Sequence, residues 1–222
     1  MKNKILRTAL VLGATGLVGS ELVKQLLDDD YYTKVKVFVR RSLGISNPKL
    51  EELIIDFDTP ELWANELLGD VIYSAFGTTL KKAGSKEAQY KIDYHYQYLV
   101  LRLACENAVP DCVVVSAPGA SIASKFFYNK MKGELDRDVA KLGFDRLVLI
   151  KPSVLWGKRD ETRFGESFGI VLGNLLSWIP GIRKYRPIRG ATVAQAMIYA
   201  IKNPADHSIV QYTADQLFEM KA

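Results

Sequence analysis

Continuously apolar runs alternate with amphipathic segments along nearly the whole chain. The runs predict strands at Ala9–Gly13, Lys34–Val39, Glu52–Asp56, Val71–Ala75, Cys112–Ser116 and Arg146–Lys151. Stretches such as Val113-Val114-Val115 suit strands covered on both faces. Apolar positions at helical spacing predict helices over Leu17–Asp28, Pro60–Leu68, Glu87–Asn107, Ser124–Leu142 and Thr192–Lys202. Six strands alternating with helices define an α/β chain with a doubly wound parallel sheet. Right-handed crossovers then place any ligand crevice at the carboxyl ends of the strands. After Lys151 the pattern loosens: Trp156–Arg163 is polar and charged, and Ser167–Ile182 is apolar but broken by Pro180-Gly181.

The turn after the first predicted strand reads Gly13-Ala14-Thr15-Gly16-Leu17-Val18-Gly19. A glycine-rich turn between strand and helix brings bare backbone N–H groups to a pyrophosphate at the positive end of that helix. Gly13 permits the tight turn, Gly16 removes a Cβ where phosphates approach, and Gly19 lets the helix lie close to the sheet. The spacing is GxxGxxG rather than GxGxxG. The expectation is one NAD(P)-binding Rossmann domain over residues 1–222, with 153–190 a short C-terminal substrate-covering insertion. The second strand ends in Arg40-Arg41 with no acid beside it. An acid there accepts from the 2′-hydroxyl of NAD, whereas arginine pairs with the 2′-phosphate of NADP. NADP(H) is therefore expected, with Arg40 the principal contact and Arg41 the second; a merely solvated strand end is the alternative.

Composition narrows the picture. An apolar fraction of 48% supplies a continuous core. No run of eighteen apolar residues occurs, and Met1-Lys2-Asn3-Lys4 leads into a strand rather than a signal segment, so no integral membrane segment and a cytoplasmic location are expected. Cys105 and Cys112 are too few for a disulfide framework, and with only His95 and His207 no metal site is expected. The net charge of +5 gathers at Arg183-Lys184-Tyr185-Arg186 and Arg189. That patch fits a solvated loop or a loop closing over an anionic ligand better than nucleic acid, which is not expected as a partner.

Tyr128 and Lys132 stand four apart, which puts both on one helix face. An ammonium beside a phenol stabilises the phenolate, so such a tyrosine can exchange a proton with an alcohol oxygen while a nicotinamide carries hydride. The bland alternative is an exposed helix pair. Ser116 and Ser121, in the turn after the fifth strand, can each hydrogen-bond a substrate oxygen or cap the following helix. Tyr90, Tyr94 and Tyr98 also share one helix face and suit core packing or a dimer seam.

The glycine turn, the Ser-turn-Tyr-x-x-x-Lys unit and Lys151-Pro152-Ser153 together resemble the short-chain dehydrogenase/reductase superfamily, in its atypical GxxGxxG form, from about Thr8 to Arg163. Ala75-Phe76-Gly77-Thr78-Thr79, Phe126-Phe127-Tyr128, Lys132-Gly133-Glu134 and Gly143-Phe144-Asp145-Arg146 resemble its Tat-interacting-protein branch, whose members bind NADP(H). The resemblance implies that Gly13, Thr15, Gly16, Leu17 and Val18 hold the pyrophosphate. It implies Tyr128 as general acid/base, Lys132 on the nicotinamide ribose, and Ser116 as the third catalytic residue. Asp56 and Phe57 fall where the family contacts adenine. Ala75, Phe76 and Gly77 pass along the adenine-side ribose and pyrophosphate, and Pro152 and Ser153 border the nicotinamide amide. The family's serine often stands thirteen residues before tyrosine, where this chain has Val115; Asp93 lies near the usual place of an asparagine. Pairing of helices between subunits in the superfamily implies a homodimer.

The function implied is hydride transfer to or from a small-molecule carbonyl or alcohol. A non-catalytic NADP(H) sensor is the first alternative. A nucleotide-sugar epimerase or dehydratase is the second, although few residues follow Lys151 to build its substrate domain. Lys158, Arg159, Asp160, Glu161 and Arg163 offer either a clamp for an anionic substrate or a solvated loop.

Overall fold

The computed structural model describes residues 7–156 and 186–220. Seven parallel strands form one sheet in the order β3-β2-β1-β4-β5-β6-β9. The strands are β1 (Arg7–Leu12), β2 (Tyr32–Val39), β3 (Leu50–Ile54), β4 (Val71–Ser74), β5 (Asp111–Val115), β6 (Arg146–Lys151) and β9 (Ile209–Thr213); β7 (Leu155–Trp156) and β8 (Ile188–Arg189) make a separate two-stranded pair. The order reverses between β1 and β4, the topological switch point at which such sheets bind ligands.

Alternation along the central strands divides the core into two layers. Ala9 and Val11 of β1 face one layer with α1 (Leu17–Asp28) and α6 (Gly190–Lys202). Leu10 and Leu12 face the other with α4 (Gln97–Glu106) and α5 (Phe127–Val139). The first helix begins and ends as its periodicity predicts, because Val18, Leu22, Val23, Leu26 and Leu27 form one buried stripe. Each such side chain contributes roughly 1.5–3 kcal/mol of burial.

Three expectations are corrected. Pro60–Leu68 is not one helix but two 3₁₀ turns, Pro60–Leu62 and Ala64–Glu66. Trp63 between them is buried and donates its indole N–H to the Asp56 carbonyl at 2.6 Å, which ties the segment down before a helix can extend. The predicted helix 87–107 follows a short α2 (Leu80–Ala83) and is a composite of α3 (Lys86–Tyr90), a π turn at Lys91–Tyr96 and α4. Strand β9 lies outside the six predicted; among the described residues it pairs only with β6, and it shows an exposed alternation, with Ile209 at 44% exposure. The predicted insertion 153–190 has residues 157–185, with Lys158 to Arg163 and Arg183–Tyr185, outside the described residues.

Candidate active site

The glycine turn sits at the switch point. Gly13 has φ +88°, a region glycine enters without penalty, and a Cβ there would stand 2.6 Å from the Ala75 carbonyl group and 2.8 Å from the Phe76 Cα. The loop after β4 therefore lies directly on the turn after β1. Gly16 N–H donates to the Gly13 carbonyl at 2.9 Å and closes the turn. A Cβ on Gly19 would collide with the Gly13 carbonyl, so the missing side chain lets α1 lie against the end of β1, as expected of this glycine. No side chain caps α1, which leaves first-turn amides such as Leu17 and Val18 for an anion.

Beside this turn opens a cleft of about 450 Å³ lined by Ala14, Thr15, Ser20, Lys24, Arg41, Ser42 and others. Thr15 and Arg41 are the predicted residues that line it; Arg40, although exposed, does not. The lining holds two cationic side chains and no carboxylate. Lys24, missed from the sequence, comes from the fourth position after Ser20 on α1, and reaches Glu21 at 3.2 Å. Helical spacing from the glycine turn was the signal that could have found it.

Asp56 and Phe57 sit apart in their surroundings. Asp56 is exposed and its Oδ1 accepts the Asp58 N–H at 3.0 Å in a local turn. Phe57 is buried among Trp63, Phe76 and Tyr96, stacked on the last with centroids 4.9 Å apart. Pro152 and Ser153 are buried after β6, and the Ser153 hydroxyl donates to the Arg186 carbonyl.

Tyr128 and Lys132 both lie on α5, in the order that the helical spacing requires. Tyr128 is 41% exposed, whereas Lys132 is 3% exposed. The Lys132 ammonium donates to Gln97 Oε1 at 3.4 Å and to the Val115 carbonyl at 3.3 Å. Gln97 in turn donates to Ser74 Oγ at 2.6 Å, which ties the lysine to the end of β4. Neither Gln97 nor Ser74 carries a sequence signal, since each is one polar residue in a mostly apolar stretch.

The serines separate. Ser116 is buried and donates its hydroxyl to Asp136 Oδ2 at 2.8 Å, an oxygen that also meets the Lys151 ammonium at 3.1 Å. Ser121 is exposed, and its Oγ accepts the Ala123 N–H at 3.2 Å. Neither caps α5, which starts from Phe126 without a side-chain cap. The loop bearing both reaches α5 at Gly133, where a Cβ would stand 2.3 Å from the Ser121 carbonyl carbon. Tyr90 and Tyr94 stack at 4.8 Å and donate to Glu134 and Asp138 of α5 at 2.9 and 2.8 Å. Their face is thus used inside the chain. Burial, then the Glu134 carboxylate, push the Tyr90 phenol up to about 12.

Switch-point glycine turn, uncapped helix and cationic cleft together define a dinucleotide-binding Rossmann protein. The family follows from the sequence: residues 13–148 match the family described as NAD(P)H-binding, and the chain belongs to it. It is 37% identical over 199 residues to the protein FMP52, mitochondrial, of Candida albicans, a match spanning 86% of both chains. The Saccharomyces cerevisiae protein of the same name is 32% identical over 219 residues and 93% of both chains. Among solved structures, UDP-glucose 4-epimerase of Thermotoga maritima superposes with a TM-score of 0.67 at 15% identity, over 96% of this chain and 80% of the other. The ADP-L-glycero-D-manno-heptose-6-epimerase of Helicobacter pylori gives 0.69 at 15%, over 99% and 83%. These likenesses show the Rossmann fold. The expected cytoplasmic location is overturned by the fungal relatives, which are named as mitochondrial proteins. Among the described residues no helix is long and apolar enough to cross a membrane, and no cluster of three or more metal-ligating side chains occurs.

Proposed function

We propose that the chain is an NADP(H)-dependent oxidoreductase of short-chain dehydrogenase type, of the Tat-interacting-protein branch, acting on a small carbonyl or alcohol. The observation that carries the reading is the α5 pair: an accessible Tyr128 one turn from a buried lysine whose ammonium is fixed by Gln97 and Val115. A bound nicotinamide supplies or accepts the hydride. In reduction Tyr128 gives its phenolic proton to the oxygen as carbon receives hydride; in oxidation it takes that proton back. Lys132, with two of its three donors held by protein, keeps one for a ribose hydroxyl. Gly13, Thr15, Gly16, Leu17 and Val18 receive the pyrophosphate, with Ala75, Phe76 and Gly77 across from them. Pro152 and Ser153 border the nicotinamide amide, and Asp56 and Phe57 the adenine end.

NADP(H) is preferred over NAD(H) in this reading because Arg41 and Lys24 line the cleft, while the carboxylates bonded to its lining are committed, Glu21 to Lys24 and Glu52 to the Ser42 hydroxyl and the Leu43 N–H. Arg40 stands beside them at the strand end. We place the protein in mitochondria, following its fungal relatives; tagged protein in a cytosolic fraction would refute that placement.

One observation favours a second reading, a non-catalytic NADP(H) sensor. The Ser116 proton is directed to Asp136, so Ser116 offers an acceptor rather than a second donor for a substrate carbonyl oxygen. The deciding experiment assays NADPH oxidation and NADP⁺ reduction across carbonyl and alcohol panels, with Tyr128→Phe alongside. Turnover that the variant abolishes establishes the enzyme; cofactor binding with no turnover on either panel establishes the sensor.

A further inference from the structure

Asp93 has no part in the roles above. It is 1% exposed and lies in the π turn Lys91–Tyr96 between α3 and α4. A π turn inside a helix re-aims the side chains it carries and recurs at functional sites. Here it places a carboxylate beneath the loop that follows β4. Asp93 Oδ1 accepts the Thr78 N–H at 2.6 Å. Gln89 Nε2 reaches Asp93 Oδ2 at 3.4 Å and the Thr78 carbonyl at 3.5 Å, so it braces both partners. A Cβ built on Gly77 would stand 3.6 to 3.7 Å from all three atoms of the carboxyl group, which puts the carboxylate in van der Waals range under Gly77. A few residues earlier the same loop presses on the glycine turn through Ala75 and Phe76. One buried acid thus underpins the backbone that faces the dinucleotide turn.

Keeping this acid ionised is unfavourable for the fold. Burial pushes its carboxyl up, and the Lys132 ammonium, the Thr78 N–H and Gln89 only pull against that.

We propose that Asp93 is a positioning residue for cofactor binding, holding Gly77–Thr78 against the glycine turn in the conformation that receives the dinucleotide. The inference rests on the NADP(H)-binding reading, and the test separates the two. NADPH is titrated by fluorescence into wild type, Asp93→Ala, Asp93→Asn and Gln89→Ala, each checked for folding by circular dichroism and gel filtration. Loss of a hydrogen bond to a charged acceptor predicts affinity about tenfold or more weaker in D93A. D93N keeps an oxygen for Thr78 N–H, and a turned-over Gln89 amide can accept from its Nδ2–H, so part of the brace remains; it is expected within about threefold of wild type, a rescue that general loosening of the fold would not give. Q89A, which removes the brace alone, is expected about threefold or more weaker.

Wild type that binds neither NADPH nor NADH overturns the cofactor reading and this inference together. Wild type that binds while folded D93A stays within threefold of it overturns the inference alone, as does D93N falling as far as D93A. If D93A does not fold, the remaining pair decides: D93N near wild type with Q89A weakened supports the role, and Q89A unchanged overturns it.

Discussion

At the scale of single residues, the site pairs an accessible acid/base candidate with buried groups that fix it. Tyr128 touches solvent and Lys132 does not, so their substitutions should differ in kind. Tyr128→Phe is expected to leave NADPH affinity within about twofold, since the ring remains, while turnover falls by about 10²-fold or more with the proton donor gone; steady-state kinetics beside fluorescence titration checks this. Asp93 gives a second test, of pH. Its carboxyl is raised in the folded state by burial, with Lys132 the charge facing it. An acid bound more weakly to its charge in the fold than in the unfolded chain stabilises the fold below its unfolded value and loses that as pH rises through the folded one. Asp93→Asn carries no such loss. The melting temperature of D93N minus that of wild type should therefore grow as pH rises from about 4 to about 7, and scanning calorimetry reads the difference. Of these residues Tyr128 and Lys132 were legible from spacing as a pair on one helix. Ser116 was legible as a hydroxyl after β5, but not its commitment to Asp136, because Asp136 reaches it only once α5 is packed on the sheet.

Elements were legible where burial is two-sided and local. Five of the six predicted strands lie within the sheet's interior and the sixth, β3, forms one edge, each with a continuous or alternating apolar signal. Strand β9 escaped because an edge needs little apolar surface: its residues read exposed, intermediate, exposed, intermediate, exposed. The π turn escaped for another reason. Tyr90, Tyr94 and Tyr98 keep a four-residue spacing across it, so periodicity alone sees one uninterrupted helix. Close approach between elements is likewise invisible in composition until the structure shows what a glycine faces. Gly133 on α5 meets Ser121 backbone atoms at 2.3 to 2.5 Å from a would-be Cβ. Alanine would gain about 1 kcal/mol of helix propensity. Against that, backbone atoms cannot rotate away as a side-chain tip can, and overpacking costs typically 1–3 kcal/mol. The clash should win: Gly133→Ala is expected to lower the melting temperature by about 2–6 °C and to shift the loop carrying Ser116 and Ser121. A melting temperature equal to or above wild type would show that the loop yields freely.

For the molecule as a whole, the sheet order decides where a ligand can act on stability. The reversal between β1 and β4 brings the glycine turn, the β4 loop and the Arg41 cleft to one edge, so a dinucleotide seated there would tie together segments from both halves of the sheet. Ligand that binds only the folded chain stabilises it by mass action, by about 2.7 kcal/mol at a hundredfold excess over Kd. For a domain of this size each kcal/mol is worth about 2–4 °C, so NADPH at that excess should raise the melting temperature by about 5–10 °C. NADH at the same concentration should raise it less, because the 2′-phosphate is what Arg41 and Lys24 can pair with. Their placement makes a sharper claim than the sequence did, which ranked Arg40 ahead of Arg41. Since Arg41 lines the cleft and Arg40 does not, Arg41→Ala should erase most of the NADPH advantage, while Arg40→Ala should erase less of it. Both arginines are exposed, so neither substitution should move the melting temperature of the ligand-free protein by more than about 2 °C. Equal shifts with NADPH and NADH in wild type would remove the phosphate from the cleft. A larger loss in R40A than in R41A would return the contact to the strand end, as the order of residues along the chain first implied.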